Sequence, residues 1–219
     1  MKVELGPWIT KPVITMWVIV AVLAIFSWLA TRRLKEKPGP LQNAAEMAVG
    51  ALMNFFTGLL GEKHVRRYFP LLATLFIFII VSNYSGLLPG AGHLFSVPTS
   101  NISITLGLAI VAFLVIQFEA VRHKGPGGYL KSLAQPLFLS FLMLPLNLIE
   151  QVVHPVSLAL RLYGNIYGEE LAAEQLGGLL AIGLPLVMHV MSLLFCLIQA
   201  MVFTMLVSIY ISEAVEEEE

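Results

Sequence analysis

Residues 175–212 are 38 consecutive positions without a formal charge, and residues 13–30 (VITMWVIVAVLAIFSWLA) form another uncharged run of 18. About 20 apolar residues carry a helix across the roughly 30 Å hydrocarbon core of a bilayer. Only 12% of the 219 residues are charged and 58% are hydrophobic, whereas a soluble domain carries about 25% charged residues. This patterning predicts an all-α integral membrane protein with several spans, solvated by lipid. The single cysteine, Cys196, excludes an internal disulfide and a multi-cysteine metal site. No metal, cofactor or nucleic-acid partner is expected. All 14 acidic residues are glutamates, so any carboxylate chemistry belongs to Glu.

The run 13–30 is followed, not preceded, by a basic cluster (Arg32, Arg33, Lys35, Lys37) and has no small-residue cleavage site. It therefore reads as a first spanning helix and not a signal peptide. Residues 41–61 differ. Asn43, Glu46, Gly50, Asn54, Thr57 and Gly61 recur at steps of three or four and trace one helical stripe. That is the pattern of an amphipathic helix at the membrane surface, although a spanning helix packed on neighbours fits the same stripe. Lys63, Arg66 and Arg67 follow. Spans are expected at 69–88 and 102–118, separated by a Gly/Pro/Ser-bearing loop at 89–100, and a third basic cluster from Arg122 to Lys131 surrounds a Gly-Pro-Gly-Gly turn.

Two long helices, 134–175 and 179–212, complete the chain, with a turn marked by Gly177, Gly178, Gly183 and Pro185. At 1.5 Å per residue each reaches roughly 55–65 Å, well beyond the bilayer core. They form either a strongly tilted hairpin, the reading adopted, or four shorter spans. The expected count is about five spans plus one interfacial helix. All three basic clusters then fall on one side, which the positive-inside rule makes cytoplasmic. The N-terminus lies outside, Glu150 toward the cytoplasm, Glu169, Glu170 and Glu174 toward the outside, and the tail Glu213–Glu219 back in the cytoplasm.

Arg161 is the exception to this segregation. The other twelve Lys and Arg lie near the N-terminus or in the three clusters, and none follows it. A lone arginine at membrane depth costs roughly 2.5–3.5 kcal/mol on insertion scales, so it usually marks a function. At about 100° per residue, Asn165 and His154 share its helix face and Glu150 falls within about 20° of it, while Glu169 is about 80° off and Glu170 about 180° away. Pro155 lacks an amide, and a kink there rotates Glu150 and His154 out of this register. The stripe places carboxylates on both sides of a buried cation. Plainer roles exist for each neighbour: a Glu150–His154 pair as packing glue, Glu169, Glu170 and Glu174 as a solvated helix end, and His189 as a hydrogen-bonded interior histidine. Asn83, Asn101 and Gln199 suit interhelical hydrogen bonds. For Arg161 a purely structural role is the less favoured reading, because no carboxylate within its own turn neutralises it.

The stretch HPVSLALRLYGNIYGEEL (154–171) resembles the signature of subunit a of F-type ATP synthases, P-x-S-L-x-x-R-L-[FY]-G-N followed by an acidic residue. IQAMVFTMLVSIYISEA (198–214) is similar to the last helix of that family, and Asn83 before SGLLP and the NISITLGLA stretch match as well. The resemblance covers most of the chain after residue 80. It implies a stator subunit facing a rotating ring of c subunits, held with the b subunits of a peripheral stalk, in a bacterial inner membrane rather than a thylakoid. It makes Arg161 the essential arginine, Asn165 and Gln199 its polar neighbours, and Glu170 the acidic group of the outer half-channel. Some members carry a histidine seven residues before the glutamine. Here that position is Ser192, and His189 lies three residues earlier. The Glu169–Glu170 pair resembles the photosynthetic-type pattern, which leaves open which glutamate delivers the proton.

On this reading the chain performs no covalent chemistry. It passes protons along two offset half-channels and couples their flow to rotation and ATP synthesis. Two rivals fit less well. A stand-alone ion or proton antiporter calls for internal repeats or paired broken helices, and no repeat is present. An intramembrane hydrolase calls for a Ser/His, zinc or paired-Asp site, and the chain has no Asp, no HExxH and no GxSxG.

Overall fold

The computed structural model describes residues 10–32, 39–87, 96–133, 140–177 and 183–215. Five helices account for nearly all of them: α1 (Lys11–Thr31), α2 (Pro40–Tyr84), α3 (Ile102–Leu133), α4 (Ser140–Gly177) and α5 (Gly183–Val215). Short 3-10 turns at Ser85–Leu87 and Pro98–Ser100 link α2 to α3, and no strand occurs among the described residues. Four regions are long and apolar enough to cross a membrane: Lys11–Thr31, Gln42–Leu87, Ile102–Gly125 and Val190–Val215. α4 has the length, with 38 residues, but carries Glu150, Arg161 and Glu169 along it. The chain is an all-α, multi-pass membrane protein.

α2 and α3 are each broken once, in both cases by glycine. Gly61 has φ 73° and ψ 163°, and Gly125 has φ 69° and ψ 161°, a region that side chains enter only with strain. Gly61 closes the segment 40–60, whose Asn43, Glu46, Gly50 and Asn54 are exposed while Phe56 and Leu60 are buried. Met47 and Val49 are exposed as well, so burial in this segment is confined to its last turns, around Phe56 and Leu60. Lys63, Arg66 and Arg67, expected between helices, belong to the first turns of the next helical stretch, because the break needs one residue only. Helix likewise resumes after Gly125, where a turn was expected. Pro126 starts that stretch, a position where its missing amide leaves no helical bond unmade. Asn101 is no interhelical link: its side-chain oxygen accepts the Ser103 amide at 2.9 Å and caps α3.

α5 is central and packs on α2, α3 and α4. Its buried stripe Cys196, Ala200, Phe203, Val207, Ile211 advances in steps of three or four, meeting Leu72, Leu75 and Ile79 of α2 and Leu158, Leu162 and Ile166 of α4. Lipid is as apolar as these side chains, so the packing depends on close contact rather than expulsion of water. Small residues at the seams, Ala109 and Ala112 of α3, Ala159 of α4 and Ala200 of α5, allow that approach.

A polar knot ties α2 to α3 between the two glycine breaks. Arg67 donates to both oxygens of Glu119 at 2.9 and 2.6 Å, and the Tyr68 hydroxyl donates to Glu119 Oε2 at 2.8 Å. His123 Nε2 stands 3.6 Å from the same carboxylate. Glu119 is only 7% exposed, and a carboxylate that deep is tolerated because every partner is in place. At the opposite end of α2, an added Cβ on Gly86 would meet Val97 Cγ2 at 2.6 Å, so the turn after α2 requires glycine.

Nothing lies within 4 Å of a Cβ added at Gly61 or Gly125. Gly61→Ala and Gly125→Ala are therefore expected to destabilise by backbone strain alone, about 1–3 kcal/mol each. Gly50→Ala, equally open but helical, is expected to be neutral or stabilising. Thermal unfolding of the detergent-solubilised protein distinguishes the three.

Candidate functional site

α4 and α5 carry the site, and burial decides which way each side chain points. Because Leu158, Ala159, Leu162 and Ile166 are turned inward, Val153, Val156, Leu160, Arg161, Gly164 and Gly168 face outward. Arg161 is exposed and lines a shallow hollow whose other walls are apolar apart from Ser157. Among the described residues it makes no ion pair. Ile198, Met201 and Met205 of α5 are also exposed. The result is an apolar outer face containing one cation.

One turn beyond Arg161, Asn165 Nδ2 donates to Gln199 Oε1 at 2.6 Å. Gln199 is only 4% exposed, and its Nε2 has no partner among the described residues. The bond links α4 to α5 beside the arginine and holds the buried amide in one orientation.

Further along α4, on the Asn165 side of Arg161, lies a second polar group. Asn83 of α2, 3% exposed, accepts the Thr99 hydroxyl at 2.6 Å and donates to the Cys196 carbonyl at 3.5 Å. Tyr84 donates to the Leu193 carbonyl at 3.3 Å. Ser192 is buried on α5, and Glu169 of α4 is half-buried, one turn beyond Asn165. The structure thus brings Asn83, Glu169 and Ser192 to one end of the α2–α4–α5 contact. The side chains of Glu170, Glu174 and His189 lie outside the described part of the molecule.

Toward the other end of α4, a cavity of about 290 Å³ opens between α3, α4 and α5. Its polar lining includes Asn147, Glu150, Gln151 and His154 from α4 and Tyr210 and Glu213 from α5. His154 Nε2 is 3.9 Å from Glu150 Oε1, and its ring stacks on Tyr210 with centroids 4.4 Å apart and planes 10° from parallel. Gln117 of α3 donates to Gln151 at 3.1 Å, and Tyr129, beyond the Gly125 break, donates to Gln151 at 2.8 Å and bonds Gln117 too. Glu150 and His154 line this cavity, not the hollow that Arg161 lines. The ideal-helix register places all three on one face, but Pro155 interrupts the amide ladder between them.

Sequence reasoning missed Asn147, Gln151, Tyr210 and Glu213. Asn147 and Gln151 precede Arg161 by 14 and 10 positions, so the stripe used for Glu150 offered a signal. Tyr210 is hidden within an apolar run, and Glu213 was grouped with the charged tail.

Fold and site define a multi-pass helical membrane protein with polar groups at two levels on either side of an arginine that has no ion pair among the described residues. The family model for the ATP synthase A chain matches residues 13–212. Similar proteins include ATP synthase subunit a 3 of Pelobacter propionicus, 45% identical over 202 residues, covering 92% of this chain and 86% of the relative. Subunit a of Trichlorobacter lovleyi is 41% identical over 94% of this chain and 87% of its own length. That of Moorella thermoacetica is 40% identical over 97% and 94% respectively. The chain belongs to the ATP synthase subunit a family, the F-type family identified above from the arginine motif.

Asn165→Leu removes the donor to Gln199 and leaves a buried amide unpaired at both ends. A loss of about 1–3 kcal/mol in stability is expected. Asn165→Leu combined with Gln199→Leu should recover most of it, as measured by thermal unfolding of the single and double variants.

Proposed function

We propose that this chain is the stator subunit of an F-type ATP synthase that forms two offset proton half-channels against the c ring and so couples proton flow to rotation and ATP synthesis. One observation carries the reading: Arg161 stands exposed on an apolar face, without an ion-paired carboxylate among the described residues, between two polar regions. An arginine retained there needs an acid from elsewhere, and a ring of subunits that each bring one carboxylate supplies it. The guanidinium favours the charged form of a carboxylate beside it, so the proton leaves before the pair forms. Its positive charge also repels protons and separates the two paths. Arginine suits the position because it remains charged when desolvated.

Asn83, Glu169, Glu170, Ser192 and His189 belong to the outer half-channel, with Asn165 and Gln199 at its inner end next to Arg161. Glu150 and His154 belong to the half-channel on the cytoplasmic side, reached through the cavity between α3, α4 and α5. In this arrangement the segment 40–60 lies along the membrane surface and α4 and α5 cross as a tilted hairpin. The N-terminus is outside, the C-terminus is cytoplasmic, and the b subunits of the peripheral stalk hold the chain in a bacterial inner membrane. An antiporter acting alone leaves the lone arginine without its acid.

Arg161→Ala is expected to abolish ATP synthesis and ATP-driven pumping in membrane vesicles while leaving a passive proton leak. Normal coupled pumping in that variant contradicts the mechanism. For the outer path, Glu169→Gln and Glu170→Gln are to be compared by pumping rate, with Glu170→Gln expected to be the more impaired. The opposite order assigns delivery to Glu169.

A further inference from the structure

Half-channel chemistry does not by itself explain why Tyr210 lies flat against His154. The ring centroids are 4.4 Å apart and the planes 10° from parallel, a close aromatic contact that fixes the plane of the smaller ring. The two residues sit on different helices 56 positions apart, so helix geometry does not impose the contact. It has a consequence: His154 Nε2 faces Glu150 Oε1 at 3.9 Å, a gap that a small adjustment or one water closes. Both rings form the cavity wall. The Tyr210 hydroxyl makes no hydrogen bond to another described residue, which leaves the ring face as its visible point of action.

We propose that Tyr210 is a positioning residue of the inner proton path: its ring holds the His154 imidazole in the plane where Nε2 faces Glu150, so that His154 passes protons between the cavity and the Arg161 side of α4. The inference rests on reading the cavity as the inner half-channel. In each passage one imidazole nitrogen takes up a proton and the other releases its own to Glu150, which hands it to cavity water; the ring is left as the other neutral tautomer and is reset by proton exchange with that water. No proton is gained or lost overall, and the phenol keeps its own throughout. The charged and titratable groups that line the cavity with His154 are Glu150 on its own helix, Tyr210 and Glu213 on α5, and Lys124 and Tyr129 on α3, while Arg161 lies seven positions further along α4. An imidazole free to turn presents its nitrogens at random, and such loss of orientation slows a transfer step by about tenfold or more.

The test is ATP-driven pumping by the assembled synthase in vesicles, recorded against the pH of the cytoplasm-side solution. Tyr210→Phe, which keeps the ring, is expected to retain the unmodified rate and pH profile. Tyr210→Leu is expected to pump several-fold more slowly, with its pH profile moved toward that of His154→Gln. Tyr210→Met, similar in bulk but without a flat face, replaces Tyr210→Leu if the latter fails to assemble, and is expected to behave in the same way. If the ring-less variants match the unmodified protein while His154→Gln is impaired, the positioning role is overturned and the inner path stands. If Tyr210→Phe is as slow as Tyr210→Leu, the hydroxyl is the working group and this inference is wrong. If His154→Gln pumps normally, the inner-path reading itself fails.

Discussion

A guanidinium at membrane depth with no carboxylate paired to it among the described residues is the constraint on which the rest depends. Leaving Arg161 there costs about 2.5–3.5 kcal/mol on insertion scales, and the surrounding structure does nothing to neutralise it. Instead α4 buries Leu158, Ala159, Leu162 and Ile166 and keeps the arginine on its outer face. The nearest polar bond, Asn165 to Gln199, fixes the helix pair at that level without supplying a negative charge. Polar side chains gather beyond it at one end and around the cavity at the other. On the proposed reading, the missing anion belongs to a moving partner, and permanent neutralisation within the chain would defeat the purpose.

A surface that meets a moving partner must itself stay in place, and the polar contacts of the frame serve that end. The Arg67–Tyr68–Glu119 knot fastens α2 to α3, and the Gln117–Gln151–Tyr129 group fastens α3 to α4. Asn83 fastens α2 to α5. In lipid, where apolar packing discriminates weakly between registers, hydrogen bonds of this kind select one arrangement of the helices. The glycine breaks at 61 and 125 complement them by letting the chain leave each helix within one residue.

Much of the fold was legible because charge marks the ends of helices in membranes. The uncharged runs located α1, α5 and the apolar parts of α2 and α3, and the polar stripe of 41–61 foretold a helix that ends at Gly61. Boundaries failed where backbone conformation, not polarity, set them: Lys63, Arg66 and Arg67 look like a linker yet are helical, because a single positive-φ glycine does the turning. At the site, Arg161 was legible from its cost alone and Asn165 from its spacing. Gln199 was legible as a candidate for an interhelical hydrogen bond, while its place beside Arg161 came only from the family resemblance. The contacts 34 to 56 positions apart were out of reach. No local pattern tells that Tyr210 stacks on His154, that Arg67 finds Glu119, or that Glu150 turns into a cavity away from the hollow beside Arg161.

The central claim is that the face bearing Arg161 meets the ring carboxylates. Leu160, adjacent to Arg161 and 50% exposed, is the site to probe it, with the buried Cys196 replaced by alanine. The measurement is oxidative cross-linking of Leu160→Cys to a cysteine placed one helical turn from the carboxylate of the c subunit in the assembled synthase. The account predicts a covalent pair of this chain with one c subunit, and loss of ATP-driven pumping that a reductant restores. Failure of the two cysteines to join in an assembled, actively pumping complex would contradict it.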